Sequence, residues 1–395
     1  MARIVLINIA AAQGATAWPA VATALAGSAA SVLDARSATV FGDSLLGLVL
    51  RFTAGDESTL LAALRAALPE AQLRSQELSE AAYAALMAEQ GAPRQVLSLM
   101  ARRVTSEQLA KVVAIASAHG LHTEGLERLS AAAPLEGGNK ACLELKLSGQ
   151  VLNAEALRAE LLAAADELQM DVALQADGLA RRHRRLAVFD MDSTLIQAEV
   201  IDELAKAAGV GERVSAITER AMRGELDFRA SFKERLALLK GLDVSVLDSI
   251  GASLRLTEGA EALFAGLHRL GYKTAILSGG FNYFAKQIQA RLGIDYVFAN
   301  ELEVVDGKCT GVAVEPIVDA QRKADLLREL AAREGLTLEQ TIAVGDGAND
   351  LPMLGLAGLG VALHAKPLVR QSAKQAISTL GLDGVLYLLG VKDGD

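Results

Sequence analysis

The chain has 395 residues, 51% of them hydrophobic, and a formal net charge of −9, enough for two or three domains with ample core. Aromatic residues at 4% exclude stacking platforms for single-stranded nucleic acid, and the acidic balance excludes a general phosphate-backbone binder. Two cysteines, Cys142 and Cys309, build neither a disulfide framework nor a thiolate zinc cluster and fit a reducing cytoplasm.

The chain opens with the apolar strand Ile4-Val5-Leu6-Ile7-Asn8-Ile9. Small residues follow it, as in a signal peptide, but the same kind of segment recurs in mid-chain. No apolar run approaches the ~18 residues needed to span a membrane. Residues 1–82 and 93–177 are predicted to be two copies of one unit, offset by roughly ninety residues. Each copy begins with an apolar strand, Val5-Leu6-Ile7 or Val96-Leu97-Ser98-Leu99. A helix follows, carrying Val21 and Leu25 or Leu109, Val112 and Ile115. Next comes an alternating strand. Leu143, Leu145 and Leu147 point one way and Glu144 and Lys146 the other, with Leu46, Leu48, Leu50 and Phe52 taking that part in the first copy. An amphipathic helix (Glu57 to Leu68, or Ala154 to Leu168) and a last strand around Gln72-Leu73 or Asp171-Val172-Ala173-Leu174 close each unit.

The order βαββαβ puts helices on one face of an antiparallel sheet. It resembles a tandem pair of ACT domains, the amino-acid-sensing module, which implies an amino-acid effector or a dimer-forming role, and with it a homodimer. The turn after the first strand reads Ala10-Ala11-Ala12-Gln13-Gly14 in copy one and Ala101-Arg102-Arg103-Val104-Thr105 in copy two, poor in the glycine expected of a ligand-binding copy. The run Arg181-Arg182-His183-Arg184-Arg185 then reads as a basic, solvated linker over 178–184.

From 185 to 390 strand and helix patterns alternate, the signature of a doubly wound parallel sheet. Leu186-Ala187-Val188-Phe189 runs straight into Asp190, with Asp192 two residues on. Ligands of such sheets sit past the carboxyl ends of the strands. Two acids this close repel unless one holds a proton or a cation lies between them. A strand-ending turn is the bland alternative; an EF-hand lacks its glycine. Three further strand ends matter: Lys273–Leu277 ends at Ser278-Gly279-Gly280, Thr341–Val344 at Gly345-Asp346-Gly347-Ala348-Asn349-Asp350, and Gly360–Leu363 at a loop with Lys366 and Pro367. Lys323 opens a helix from Ala324 to Ala332. For a phosphate ester each has a task. Ser278 offers a hydroxyl, and the glycines let backbone N–H groups approach an anion. Lys323 supplies a point charge, and Asp346 can share a hard cation with Asp190.

Asp190-Met191-Asp192-Ser193-Thr194, Ser278-Gly279-Gly280, Lys323 and Gly345 to Asp350 resemble the four motifs of the haloacid dehalogenase-like phosphatases. The finer resemblance is to the phosphoserine phosphatases. It is carried by Glu199-Val200-Ile201-Asp202-Glu203, by Thr218 to Phe228, and by Arg235 and Gly279-Gly280-Phe281. The resemblance implies Asp190 as nucleophile and Asp192 as general acid and base. It implies Mg²⁺ on Asp190, the Asp192 carbonyl and Asp346, with Asp350 supporting the metal shell through water. Ser278, Gly279 and Lys323 would hold the phosphoryl oxygens, and Asn349 would contact phosphate. A small helical cap is expected at about 199–256, with Glu199 pairing the substrate ammonium, Arg235 its carboxylate, and Met222 and Phe228 as walls. The expected function is Mg²⁺-dependent hydrolysis of O-phospho-L-serine in the cytoplasm. The alternatives are the same chemistry on another small phosphate ester, phosphoryl transfer to an acceptor such as homoserine, or an inert amino-acid-sensing regulator.

Overall fold

Two units make up the chain, Met1–Ala92 and Pro93–Asp395. The computed structural model describes residues 2–394 except 13–16, 54–56, 132, 133 and 136, and of Met222 the backbone alone. Gln13 and Gly14 of the first turn therefore lie outside the described residues, as does the Met222 side chain.

In the first unit the strands are β1 (Arg3–Ala11), β2 (Ala30–Val40), β3 (Asp43–Phe52) and β4 (Gln72–Leu78). They form an antiparallel sheet of order β2-β3-β1-β4. Strict alternation sends Val5, Ile7 and Ile9 of β1 and Leu46, Leu48 and Leu50 of β3 to one face, where the helices Ala17–Ala26 and Glu57–Ala67 cover them. One strand of the expected order had no residues assigned, and one helix lies outside that order. The edge strand β2 has a mostly exposed, mixed sequence, ASVLDARSATV. A third helix, Glu80–Gln90, is capped by the Ser79 hydroxyl.

The second unit repeats the pattern before building on it. Strands β5 (Arg94–Ala101), β6 (Leu121–Arg128), β7 (Ala141–Gly149) and β8 (Asp171–Ala176) pair in the order β6-β7-β5-β8. Both modules are thus ACT-like. The helix Ser106–Ala118 starts at a capping box, Thr105 with Gln108, and the helix Ala154–Glu167 at Asn153. Leu97, Leu99, Leu143, Leu145 and Leu147 pack beneath them. The opposite sheet face is also buried: Met100, Cys142 and Ala173 belong to the core of the following α/β domain.

That burial overturns one expectation. The basic run is not solvated throughout: Arg181 and Arg184 are buried, while Arg182, His183 and Arg185 are exposed. Arg181 donates to Glu144 at 2.6 Å and Arg184 to Gln175 at 3.1 Å. At Glu144 the polar side of β7 faces neighbouring protein instead of water, and Arg181 supplies the countercharge that a buried carboxylate requires.

The α/β domain contains β9 (Leu186–Phe189), β10 (Lys273–Phe281), β11 (Tyr296–Asn300), the hairpin β12 (Leu302–Val305) and β13 (Lys308–Ala313), and β14 (Thr341–Gly345), β15 (Leu359–Leu363) and β16 (Gln375–Ile377). Six of them form a parallel sheet, β11-β10-β9-β14-β15-β16. The order reverses at β9, whose neighbours β10 and β14 lie on opposite sides. Such a switch point opens a crevice at the carboxyl ends of the strands. Between β9 and β10 sit the helices Val200–Ala207, Gly211–Met222, Phe228–Ala237 and Ser245–Ser253. The two linkers to this cap pair with each other, Gln197 N–H to Arg255 O and Thr257 N–H to Leu195 O, both at 2.9 Å. At the far side the cap rests on the β12–β13 hairpin, where Gly241 N–H meets Cys309 O at 2.8 Å.

Candidate active site

Register brings the site together. Phe189 of β9 lies opposite Ile276 of β10 and Val344 of β14, so Asp190, Ser278 and Asp346 emerge at neighbouring strand ends. The Asp190 N–H donates to Val344 O at 2.9 Å, and its carboxylate accepts the Met191 N–H at 2.7 Å. Lys323 reaches up from the helix Ala320–Arg333, whose fourth residue it is. Its Nζ lies 2.8 Å from Asp190 Oδ1 and 2.7 Å from Asp350 Oδ1.

Asp190, Asp346 and Asp350 form one acidic cluster, with an oxygen of each within 4.8 Å of the others. Three hard carboxylate oxygens around one point are the donor set a small divalent cation such as Mg²⁺ takes, so the residues fit the expected metal. Asp350, expected to support the metal shell, is the third member of this cluster. Its Oδ2 also accepts the Gly347 N–H at 3.0 Å. Asp192 lies apart. Its carboxylate accepts the Val200 N–H at 3.3 Å, at the start of the first cap helix. A Cβ at Gly280 would stand 2.5 Å from that carboxylate, which explains a glycine there.

The electrostatics of the three acids share one leading cause. Burial, reinforced by Asp350, pushes the Asp190 carboxyl well up against the opposing pull of Lys323. Burial and then the charge of Glu199 raise Asp192 to about 8. Asp346 rises to about 6 through burial, moderated by the Thr194 hydroxyl. Lys323 is held above its usual value because Asp190 and Asp350 outweigh its own desolvation. Burial thus raises all three acids, and Lys323 is the fixed cation among them.

A cleft of about 640 Å³ opens above, lined by Asp190, Asp192, Glu199, Phe228, Arg235, Gly279, Asp346 and Asn349 among others. Ser278, Lys323 and Asp350 are fully buried, with Ser278 Oγ accepting the Gly280 N–H at 2.9 Å. The Phe228 ring rests on Gly279, where a Cβ would come within 2.9 Å of it. Phe228 also stacks on Phe232, 6.2 Å between centroids. Arg235 donates to Ser231 O at 3.4 Å and among the described residues has no carboxylate at salt-bridge distance.

Several contributors escaped the sequence reading. Thr194 Oγ1 donates to Asp346 at 2.7 Å, and Ser193, held at φ 55°, donates to Glu199 Oε1 at 2.7 Å. Both stand inside the Asp-x-Asp-Ser-Thr motif, so their polar side chains were the available signal. Asn300 bridges Gly279 O and Val318 N–H, each at 2.8 Å. Leu368 and Val369, beside the already noted Lys366, complete one wall of the cleft.

Residues 187–355 match the model of the haloacid dehalogenase-like hydrolase family. The phosphoserine phosphatase of Streptomyces coelicolor is 46% identical over 301 residues, 76% of this chain and 72% of its own. Among solved structures, a probable phosphoserine phosphatase from Vibrio cholerae aligns with a TM-score of 0.61 at 38% identity, over 75% of this chain and 86% of that one. A substrate-bound phosphoserine phosphatase complex aligns with a TM-score of 0.50 at 41% identity, over 53% and 99%.

Proposed function

The chain belongs to the phosphoserine phosphatases of the haloacid dehalogenase-like hydrolases, and from that premise we propose that it hydrolyses O-phospho-L-serine to L-serine and phosphate through an aspartyl-phosphate on Asp190. One observation carries the reading. A buried aspartate lies 2.8 Å from a buried lysine, at the floor of a cleft whose cap wall holds Arg235.

Asp190 Oδ attacks phosphorus, the bond from phosphorus to the serine oxygen breaks, and Asp192 gives its proton to that oxygen. The raised value near 8 suits Asp192 to this donation. Serine leaves, and Asp192, now a carboxylate, takes a proton from water as the water attacks phosphorus. Phosphate departs and both aspartates return to their starting states. Lys323, Ser278 and the Gly279 backbone bear on the phosphoryl oxygens, and Asn349 adds a contact from the other side. Mg²⁺, held by Asp190, Asp346 and the Asp192 carbonyl with Asp350 behind them, would lower the repulsion between a carboxylate and a phosphate dianion.

Substrate choice falls to the cap. Arg235 pairs with the serine carboxylate and Glu199 with the ammonium, while Phe228 walls the pocket. The first unit serves as a regulatory or dimer-forming module responsive to an amino acid, in the last step of serine biosynthesis. Two buried free cysteines accord with a cytoplasmic enzyme, and among the described residues no helix is long and apolar enough to cross a membrane. Phosphate release from a panel of phosphorylated amino acids, with and without Mg²⁺, tests the assignment. Phosphoserine turnover that requires Mg²⁺ is expected; release from other members of the panel alone would overturn it.

A further inference from the structure

The second ACT-like module reaches the cleft through one short helix. Pro367–Ser372 is six residues long, and Lys366 at its start with Leu368 and Val369 lines the same cleft as Asp190 and Asp346. A helix this short has almost no stability of its own, so its position is set by whatever grips it. Its carboxyl end is gripped by the second module. Arg158 Nη2 donates to the Gln371 carbonyl at 2.9 Å and also to the Ala373 carbonyl. A cation on these terminal carbonyls satisfies acceptors that have no helical partner and meets the negative end of the dipole. One turn earlier, Arg370 donates to Asp166 Oδ2 at 2.6 Å. Arg158 and Asp166 stand on the same helix, Ala154–Glu167.

The clamp continues beyond the helix. The Gln375 side chain brackets Leu174 of β8, accepting its N–H at 3.2 Å and donating to its carbonyl at 2.7 Å. Asp171 accepts the N–H groups of Ser378 at 2.7 Å, Thr379 at 2.9 Å and Leu380 at 3.2 Å. The far side of this segment returns to the loop that leads to Lys366. The N–H of His364 donates to Ile377 O at 2.7 Å, and its ring Nε2 lies 2.8 Å from Leu380 O. From 364 to 380 the chain is therefore held between the module on one side and the cleft on the other.

We infer that the second ACT-like module is a positioning element of the active site. Arg158 and Asp166 are positioning residues that fix the helix presenting Lys366, Leu368 and Val369 to the substrate. Of the tandem pair, one copy is built into the enzyme and the other forms a unit of its own. The kinetic half of this inference rests on the phosphatase reading; the mechanical half does not.

The test uses the full chain with Arg158→Ala, Asp166→Asn and both together. Arg158 and Asp166 are exposed, so global unfolding should barely move. Amide exchange in a peptide spanning 364–374 should accelerate. KM for phosphoserine should rise about threefold or more in the double variant while kcat stays within about twofold. Unchanged exchange would overturn the inference, and so would faster exchange with an unchanged KM. Should the unaltered chain fail to turn over phosphoserine, the functional reading fails instead, and the exchange result still decides whether the module holds the helix.

Discussion

Lys323 Nζ sits 2.8 Å from Asp190 Oδ1, with no part of the lysine side chain exposed. A fully buried ammonium is tolerated only beside compensating charge, and Asp350 at 2.7 Å supplies the second half. The lysine thus neutralises the floor of the site before any anion arrives. Lys323→Ala leaves two buried acids without their cation. The expected cost is about 3–5 kcal/mol in chemical denaturation, together with loss of turnover. A variant as stable as the parent would mean the pair contributes little to the fold.

Arg235 is desolvated, and burial lowers its pKa, yet among the described residues it has no salt-bridge partner. A substrate carboxylate would complete it. Arg235→Ala is expected to raise KM for phosphoserine tenfold or more, about 1.4 kcal/mol at least, and to lower kcat much less. Phosphoethanolamine, which lacks the carboxylate, should be a poor substrate of the parent and little affected by the change. Steady-state kinetics on both esters checks this, and equal turnover of the two by the parent would defeat the substrate assignment.

The acidic cluster predicts a metal response that is separable from catalysis. Mg²⁺ at a hundred times its dissociation constant should stabilise the fold by about 2.7 kcal/mol, read as a shift in the unfolding midpoint. Asp346→Asn, which removes one carboxylate of the three, should abolish most of that shift. A shift that persists undiminished would place the ion elsewhere.

Removing the first unit should be tolerated, because Val5, Ile7, Leu48 and their neighbours form a core confined to it. A chain starting at Pro93 is expected to fold and to hydrolyse phosphoserine. One starting near Arg181 is not. It strips the cover from the face where Met100, Leu129, Cys142 and Ala173 pack, and leaves Arg184 without Gln175. Near-ultraviolet circular dichroism with turnover assays distinguishes the two. A well-folded, active chain from Arg181 would contradict the integrated second module.

What the sequence disclosed depended on how local the cause was. Leu186–Phe189 declares a buried strand by four consecutive apolar residues, and an aspartate straight after it lands at the sheet's carboxyl edge whatever the rest of the chain does. The repeat was legible from alternation in β1, β3, β5 and β7. The edge strands β2 and β6 were not placed, since one-sided exposure leaves LHTEGLER without a periodic signal. Arg181 was misread for a related reason. Its partner Glu144 stands 37 residues away, on a face whose polarity suggested water. The bonds from Thr194 to Asp346 and from Arg158 to Gln371 join residues far apart in the chain, and no local pattern marks them.

The direct test of the account is acid-quenched single turnover with phosphoserine, followed by peptide mass analysis. The account predicts one phosphoryl group on the peptide containing Asp190, formed in the parent and absent from Asp190→Asn. Phosphate release with no labelled peptide at any quench time, or the same label surviving in Asp190→Asn, would contradict it.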